Sequence, residues 1–309
     1  MRILVVGTGA VGGYFGGRLL AAGRDVTFLV RPHRVAELAR TGIDIRSPFG
    51  DVHVAAPPTI TPEAVRPEFD LILVSSKAQD LAGAIESFAP AVGTRTAILP
   101  LLNGLRQLDT LDARFGAGRV LGGVCFISAV RQADGRIVHF NDIHRLSFGE
   151  RDGSLSPRIQ EIDAALSNAG FEAHCTQRIV QEMWNKWVFI ATLAGITCLM
   201  RAAIGDIVAA GASQLALQML DECSAIAARE GVPPTASSMR KNREIFTKPG
   251  SQFTASMLRD MESHAPIESE HIVGDLLRRG EKHGIEAPLL RIAYAHLGCY
   301  EARRIRESG

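Results

Sequence analysis

The chain of 309 residues lacks the usual marks of an exported, membrane-bound or nucleic-acid-binding protein. Its five cysteines, Cys125, Cys175, Cys198, Cys223 and Cys299, form an odd set without a C-x-x-C pair. That excludes a disulfide framework and a cysteine-based zinc site, leaving reduced, mostly buried thiols as the expectation. The nine histidines show no H-x-x-x-H or mixed Cys/His spacing, so no metal site is expected, and His139, His144 and His264 read as strand and loop residues. Neither sign of charge prevails: 34 Lys plus Arg against 33 Asp plus Glu leave a net +1 and no electrostatic footprint for nucleic acid or an anionic membrane. Long apolar runs are missing too. The most apolar segment, residues 187–200, is bounded by Lys186 and Arg201 and reads as too short to cross a bilayer. The first residues already form an apolar strand, which leaves no room for a signal peptide and makes a cytoplasmic location the expectation.

Present instead is a strand that runs straight into a glycine turn. Ile3-Leu4-Val5-Val6 is followed by Gly7-Thr8-Gly9-Ala10-Val11-Gly12, and helical spacing begins there. In such a G-x-G-x-x-G turn the first glycine allows the sharp bend, the second removes a side chain that would block the pyrophosphate, and the third lets helix and strand approach. Free backbone N–H groups and the helix dipole then bind the phosphates. The next strand, Asp25-Val26-Thr27-Phe28-Leu29-Val30, ends on Arg31, with Arg34 a turn later. An NAD site places a carboxylate at this strand end, whereas a guanidinium is a planar fork matched to a 2′-phosphate. NADP(H) is therefore the expected cofactor, the plain alternative for Arg31 being a solvated strand-end charge.

With 46% hydrophobic residues, the chain is long enough for two domains. Up to about residue 175, apolar strand runs alternate with helical patterns, as a doubly wound parallel sheet requires. Residues 71–74 and 96–99 read as further strands around a helix at 80–88. Residues 122–129 and 136–140 read as hairpin strands around Asp134-Gly135, joined by 145–148, an antiparallel extension of the nucleotide sheet. Residues 158–169 have helical spacing and stop at Gly170. Beyond Thr176 the pattern is helical almost throughout: 179–194, 213–230, 234–247, 252–262, 268–283 and 288–305, punctuated by Gly231, Pro233-Pro234, Pro249-Gly250 and Pro266. The expected architecture is an α/β chain: a Rossmann-type doubly wound domain with an antiparallel extension over 1–175 and an all-α domain over 176–309. The substrate is expected in the cleft between them.

Two polar residues stand at strand ends on the edge where open α/β sheets bind ligands: Lys77 after Val74-Ser75-Ser76, and Asn103 after Leu99-Pro100-Leu101-Leu102. Each alone reads as an ordinary loop residue. In the helical half, Trp184-Asn185-Lys186-Trp187 sets one cation between aromatics, with Lys186, Ile190 and Ala194 four apart on one face. Such a lysine either snorkels to water or sits partly desolvated at a cleft, where it serves as a general acid.

Together these residues resemble the ketopantoate reductase family, whose members reduce 2-dehydropantoate to pantoate with NADPH. The likeness spans nearly the whole chain. It runs from the glycine turn, Arg31, Lys77 and Asn103-Gly104 through Lys186 to Ser256-Met257-Leu258-Arg259-Asp260, Glu268 and His283-Gly284-Ile285. By that resemblance Lys186 is the catalytic acid, Glu268 and Ser256 contact substrate, and Asn103 and Lys77 lie near substrate and nicotinamide ribose. Read without the family, Ser256 is a helix serine and Glu268 a helix N-terminal acid favoured by the dipole. One departure stands out: pantoate-forming members carry asparagines where this chain has Ile190 and Ala194. Loss of those amides disfavours a hydroxylated substrate and opens the alternative of another 2-oxo acid. A non-catalytic NADP(H)-binding sensor is the reading from a different class. The apolar runs 272–277 and 289–297 pack internally or against a second copy, and a homodimer is expected.

Arg31→Ala is expected to raise the KM for NADPH about tenfold while leaving that for NADH nearly unchanged, the loss of one charge-assisted contact. Turnover with both coenzymes checks it, and equal use of the two by the unmutated protein removes the assignment.

Overall fold

The computed structural model describes residues 1–308 and divides into two compact units. The first comprises Met1–Leu102 and Gln107–Ile179; the second comprises Asn103–Arg106 and the chain from Val180 onward.

In the first unit the strands are β1 (Arg2–Val6), β2 (Asp25–Leu29), β3 (Ile43–Arg46), β4 (Val52–Val54), β5 (Thr59–Ile60), β6 (Leu71–Val74), β7 (Ala97–Pro100), β8 (Gly122–Phe126), β9 (Ala129–Arg131), β10 (Ile137–His139), β11 (Arg145–Gly149) and β12 (Glu172–Cys175). The helices are α1 (Ala10–Ala21), α2 (Pro32–Thr41), α3 (Leu81–Phe88), α4 (Arg106–Phe115) and α5 (Pro157–Leu166). The main sheet has the order β5-β2-β1-β6-β7 with every pair parallel. Its central strands are apolar on both faces because helices cover both, and Ile3, Leu4, Val5, Ile72, Leu73 and Ile98 have no solvent exposure. Strand order reverses at β1, between β2 and β6, so the glycine turn lies at the topological switch point.

The antiparallel extension consists of two small sheets of mixed direction, β4-β3-β10-β9 and β12-β11-β8. Residues 122–129 divide between them. The chain leaves β8, which pairs with β11, and enters β9, which pairs with β10 across the Asp134-Gly135 turn. At the switch, Ser128 N donates to Asn141 Oδ1 at 2.8 Å, which occupies the amide that continuous pairing would have used. A polar cluster fastens α1 to the second sheet: the Tyr14 hydroxyl lies 2.8 Å from His144 Nδ1, His139 Nδ1 lies 2.9 Å from Ser47 Oγ, and Phe49 stacks on His144.

The second unit is helical: α6 (Ile179–Met200), α7 (Ile204–Ala209), α8 (Ser213–Arg229), α9 (Ala236–Phe246), α10 (Ser256–Glu262), a π-turn (Glu270–Gly274) leading directly into α11 (Asp275–Lys282), and α12 (Pro288–Ser308). Helix α6 runs past Ala194 because Gly195 is a packing position, not a stop: a side chain there would strike Met219 of α8. Thr192 and Thr197 donate to the carbonyls of Val188 and Leu193 at 2.8 and 2.7 Å, which satisfies their hydroxyls inside the core. By length and composition α6 qualifies to cross a membrane, yet 67% of its most apolar window is buried within the protein, and it is a core helix. Cys125, Cys198 and Cys223 are buried, Cys175 is partly so and Cys299 is exposed; burial pushes the Cys198 and Cys223 thiols up to about 12.

Gly12 is where α1 meets the sheet. A β-carbon there would collide with Ser75 Oγ and the Gly7 carbonyl oxygen. Gly12→Ala is expected to destabilise the protein by about 1–3 kcal/mol, the usual penalty for overpacking, and urea unfolding measures it.

Candidate active site

The nucleotide end of the first unit follows from the strand-turn-helix order. Gly7 has φ +92°, the left-handed conformation that lets the chain turn off β1. The Ser75 hydroxyl donates to Val6 O at 2.9 Å and Gly7 O at 3.3 Å, pinning the turn against the end of β6. A cavity of about 490 Å³ opens above it, with Gly7, Thr8, Gly9, Arg31, Arg34 and Lys77 among its walls. Ala10, Val11 and Gly12 form the first turn of α1 and lie outside those walls.

These residues fit a phosphorylated dinucleotide. The space where a Gly9 side chain would stand is empty, and Arg31, exposed at the N-cap of α2, makes no side-chain hydrogen bond or ion pair with any described residue. Arg34 is held: its Nε donates to Thr8 Oγ1 at 3.0 Å, and it pairs with Glu37. Hydrogen bonding from Arg34 holds the Glu37 carboxyl below the usual range. A further arginine, Arg131 of β9, also lines the cavity and donates to Glu37 Oε1 at 2.9 Å. Neither Glu37 nor Arg131 carries a local motif. They meet across 94 residues, and only pairing of β9 into the second sheet places them together.

Asn103, Lys186, Ser256 and Glu268 all belong to the second unit, where Asn103 enters through the short segment Asn103–Arg106. The π-turn is the common support. Trp187, next to Lys186 on α6, donates its indole N–H to Ile272 O at 2.9 Å, in a fully buried bond. Gly104, next to Asn103 and at φ +80°, packs so closely on His271 that an added β-carbon would lie 3.0 Å from its carbonyl oxygen. Arg106 donates to Glu270 Oε1 at 3.1 Å. Glu268 precedes the turn, and its carbonyl accepts from His271 N and Ile272 N at 3.2 and 3.0 Å. Burial pushes the His271 imidazole pKa down, opposed by Asp275. Burial tends to raise Glu270, but hydrogen bonds from Tyr294 and Arg278 hold it below the usual carboxylate range.

Lys186 and Ile190 are partly exposed on one face of α6, whereas Ala194 is 2% exposed. Ser256 is exposed at the start of α10 and follows Ala255, whose amide meets Thr197 Oγ1 of α6 at 3.4 Å. Sequence patterns alone did not mark Trp187 and His271 as supports, because a π-turn has no composition signal.

A cavity over a glycine turn on a parallel sheet, in a chain with a separate helical unit, fits the class of two-unit oxidoreductases of the nicotinamide type. Residues 3–153 match the family model described as ketopantoate reductase PanE/ApbA, and residues 178–301 match that for its C-terminal part. The chain is 37% identical over 305 residues to "Uncharacterized oxidoreductase YkpB" of Bacillus subtilis, covering 98% of this chain and all of that one. It is 28% identical to the 2-dehydropantoate 2-reductase of Halobacterium salinarum, covering 94% and 96%. Among solved structures, 2-dehydropantoate 2-reductase from Methylococcus capsulatus superposes with a TM-score of 0.88 at 28% identity, covering 98% of each chain. The chain therefore belongs to the ketopantoate reductase family and, with it, to the NADP-dependent oxidoreductases.

Trp187→Phe keeps most of the ring volume but leaves the Ile272 carbonyl without its donor. It is expected to cost about 1 kcal/mol of stability, the net worth of one buried hydrogen bond. Urea unfolding measures the loss.

Proposed function

We propose that the protein reduces a 2-oxo acid to the 2-hydroxy acid with NADPH, and that 2-dehydropantoate, giving (R)-pantoate for pantothenate biosynthesis, is its substrate. The observation that carries this reading is the common support of Lys186, Glu268 and Asn103 by one π-turn, in a chain of this family. Gly7, Thr8, Gly9, Arg31 and Lys77 hold the cofactor, Ala10, Val11 and Gly12 shape the helix end against it, and Asn103 contacts its ribose. Bound NADPH supplies the hydride.

The rest of the chemistry falls to side chains. As the substrate carbonyl carbon becomes tetrahedral, negative charge gathers on its oxygen. The Lys186 ammonium stabilises that oxygen and delivers the proton, leaving a neutral amine that bulk water reprotonates. Ser256 and Asn103 donate to the substrate carboxylate, and Glu268 accepts from a substrate hydroxyl or keeps Lys186 oriented. Catalysis on this account is charge placement by a fixed cation, which is why rigid support of α6 matters.

Ile190 and Ala194 favour a second reading, reduction of a less hydroxylated 2-oxo acid. Neither side chain has a hydrogen-bonding group where pantoate-forming relatives carry amides, and a site without partners for a hydroxyl discriminates poorly in its favour.

Lys186→Ala is expected to lower kcat by about 10²- to 10⁴-fold, the range for losing a general acid, while the Kd for NADPH stays within about threefold. Stopped-flow NADPH oxidation against a panel of 2-oxo acids, with fluorescence titration of the coenzyme, measures both. Tight NADPH binding without turnover of any member of the panel replaces the enzyme by a sensor.

A further inference from the structure

Three arginines line the nucleotide cavity, and one of them comes from outside the strand-helix unit that ordinarily reads the ribose. Arg31 and Arg34 follow β2; Arg131 is the last residue of β9, in a different sheet. A continuous chain of contacts ties it in: Arg131 Nη2 donates to Glu37 Oε1 at 2.9 Å, Glu37 pairs with Arg34, and Arg34 Nε donates to Thr8 Oγ1 in the glycine turn at 3.0 Å. Arg34 and Arg131 line the cavity, whereas Glu37 is not among its walls. The carboxylate therefore pairs with both guanidinium groups without lining the cavity itself. Only one nitrogen of the Arg131 fork is engaged by a described residue, and the side chain is 33% exposed.

Charge supports the same conclusion. Arg31, Arg34, Lys77 and Arg131 line the cavity against Asp80, and with Glu37 counted they leave a surplus of two positive charges. A phosphate monoester carries about −1.5 to −2 at pH 7, which matches that surplus, whereas a 2′-hydroxyl offers nothing to offset it. We infer that Arg131 is a third cation of the 2′-phosphate site, positioned by Glu37, and that it sets the preference for the phosphorylated coenzyme together with Arg31. This inference rests on the NADPH reading above and adds to it a residue that the strand-end argument does not reach.

Calorimetric titration of the full-length protein with 2′,5′-ADP and with 5′-ADP, which lacks the 2′-phosphate, tests the point without turnover. Arg131→Gln is expected to raise the Kd for 2′,5′-ADP about tenfold, as for loss of one charge-assisted contact, and to leave 5′-ADP within about twofold. Arg131→Lys, which retains a point charge without the fork, is expected to fall between them. It also decides the matter should thermal scanning show the Gln variant unfolded. The inference is overturned if Arg131→Gln binds 2′,5′-ADP as the unmutated protein does, or weakens both ligands equally, while Arg31→Ala still weakens 2′,5′-ADP alone. Absence of any 2′,5′-ADP preference in the unmutated protein would instead overturn the NADPH reading itself.

Discussion

The bond from the Trp187 indole to the Ile272 carbonyl is the constraint on which the helical unit depends. A π-turn interrupts the regular i→i+4 ladder, and contacts from outside the helix help to hold it. Trp187 provides one such contact from α6, a buried hydrogen bond to the Ile272 carbonyl. Arg279 lies over the same indole ring, held by Asp275 and Glu230, which closes the far side. Three separate stretches of chain, around Asn103, Lys186 and Glu268, thus share one rigid reference point. That sharing holds the three stretches in one fixed arrangement.

The nucleotide end solves a different problem, the gathering of like charges. Arginines brought close together repel, and exposed ion pairs add little stability singly. Glu37 resolves this by standing between Arg34 and Arg131, with its carboxyl held ionised by the first of them. Thr8 anchors the other end of the network to the glycine turn.

Much of this was legible in the sequence, and the remainder fails for identifiable reasons. The order β1, glycine turn, α1 follows from an apolar run with glycines at the turn, and the helical half follows from its periodicity. Strands β3, β4, β5 and β12 escape that reading because they are short and interleave Asp44, Arg46, His53 and His174 with their apolar residues. Helix α7 is a mere six residues, and α6 looked shorter than it is because Gly195 resembles a terminator until Met219 is seen against it. The division of 122–129 between two sheets goes with the Asn141 side chain, which accepts from Ser128 N across 13 residues and leaves no mark in the strand pattern. Within the site, residue types and strand ends were visible, whereas Glu37 with Arg131 and Gly104 with His271 are long-range pairs that only the packed chain creates.

The π-turn also restricts how this part of the chain can change in length. It passes without a break into α11, and removal of one residue would convert the widened turn to an ordinary α-helix. Such a turn accommodates one residue more than the α-turn it replaces, so the deletion would leave the flanking faces near register but re-aim the carbonyls of the turn itself. The Ile272 carbonyl would then turn away from the Trp187 indole. Between Glu268 and Asp275, substitutions have some latitude, but insertions and deletions have almost none.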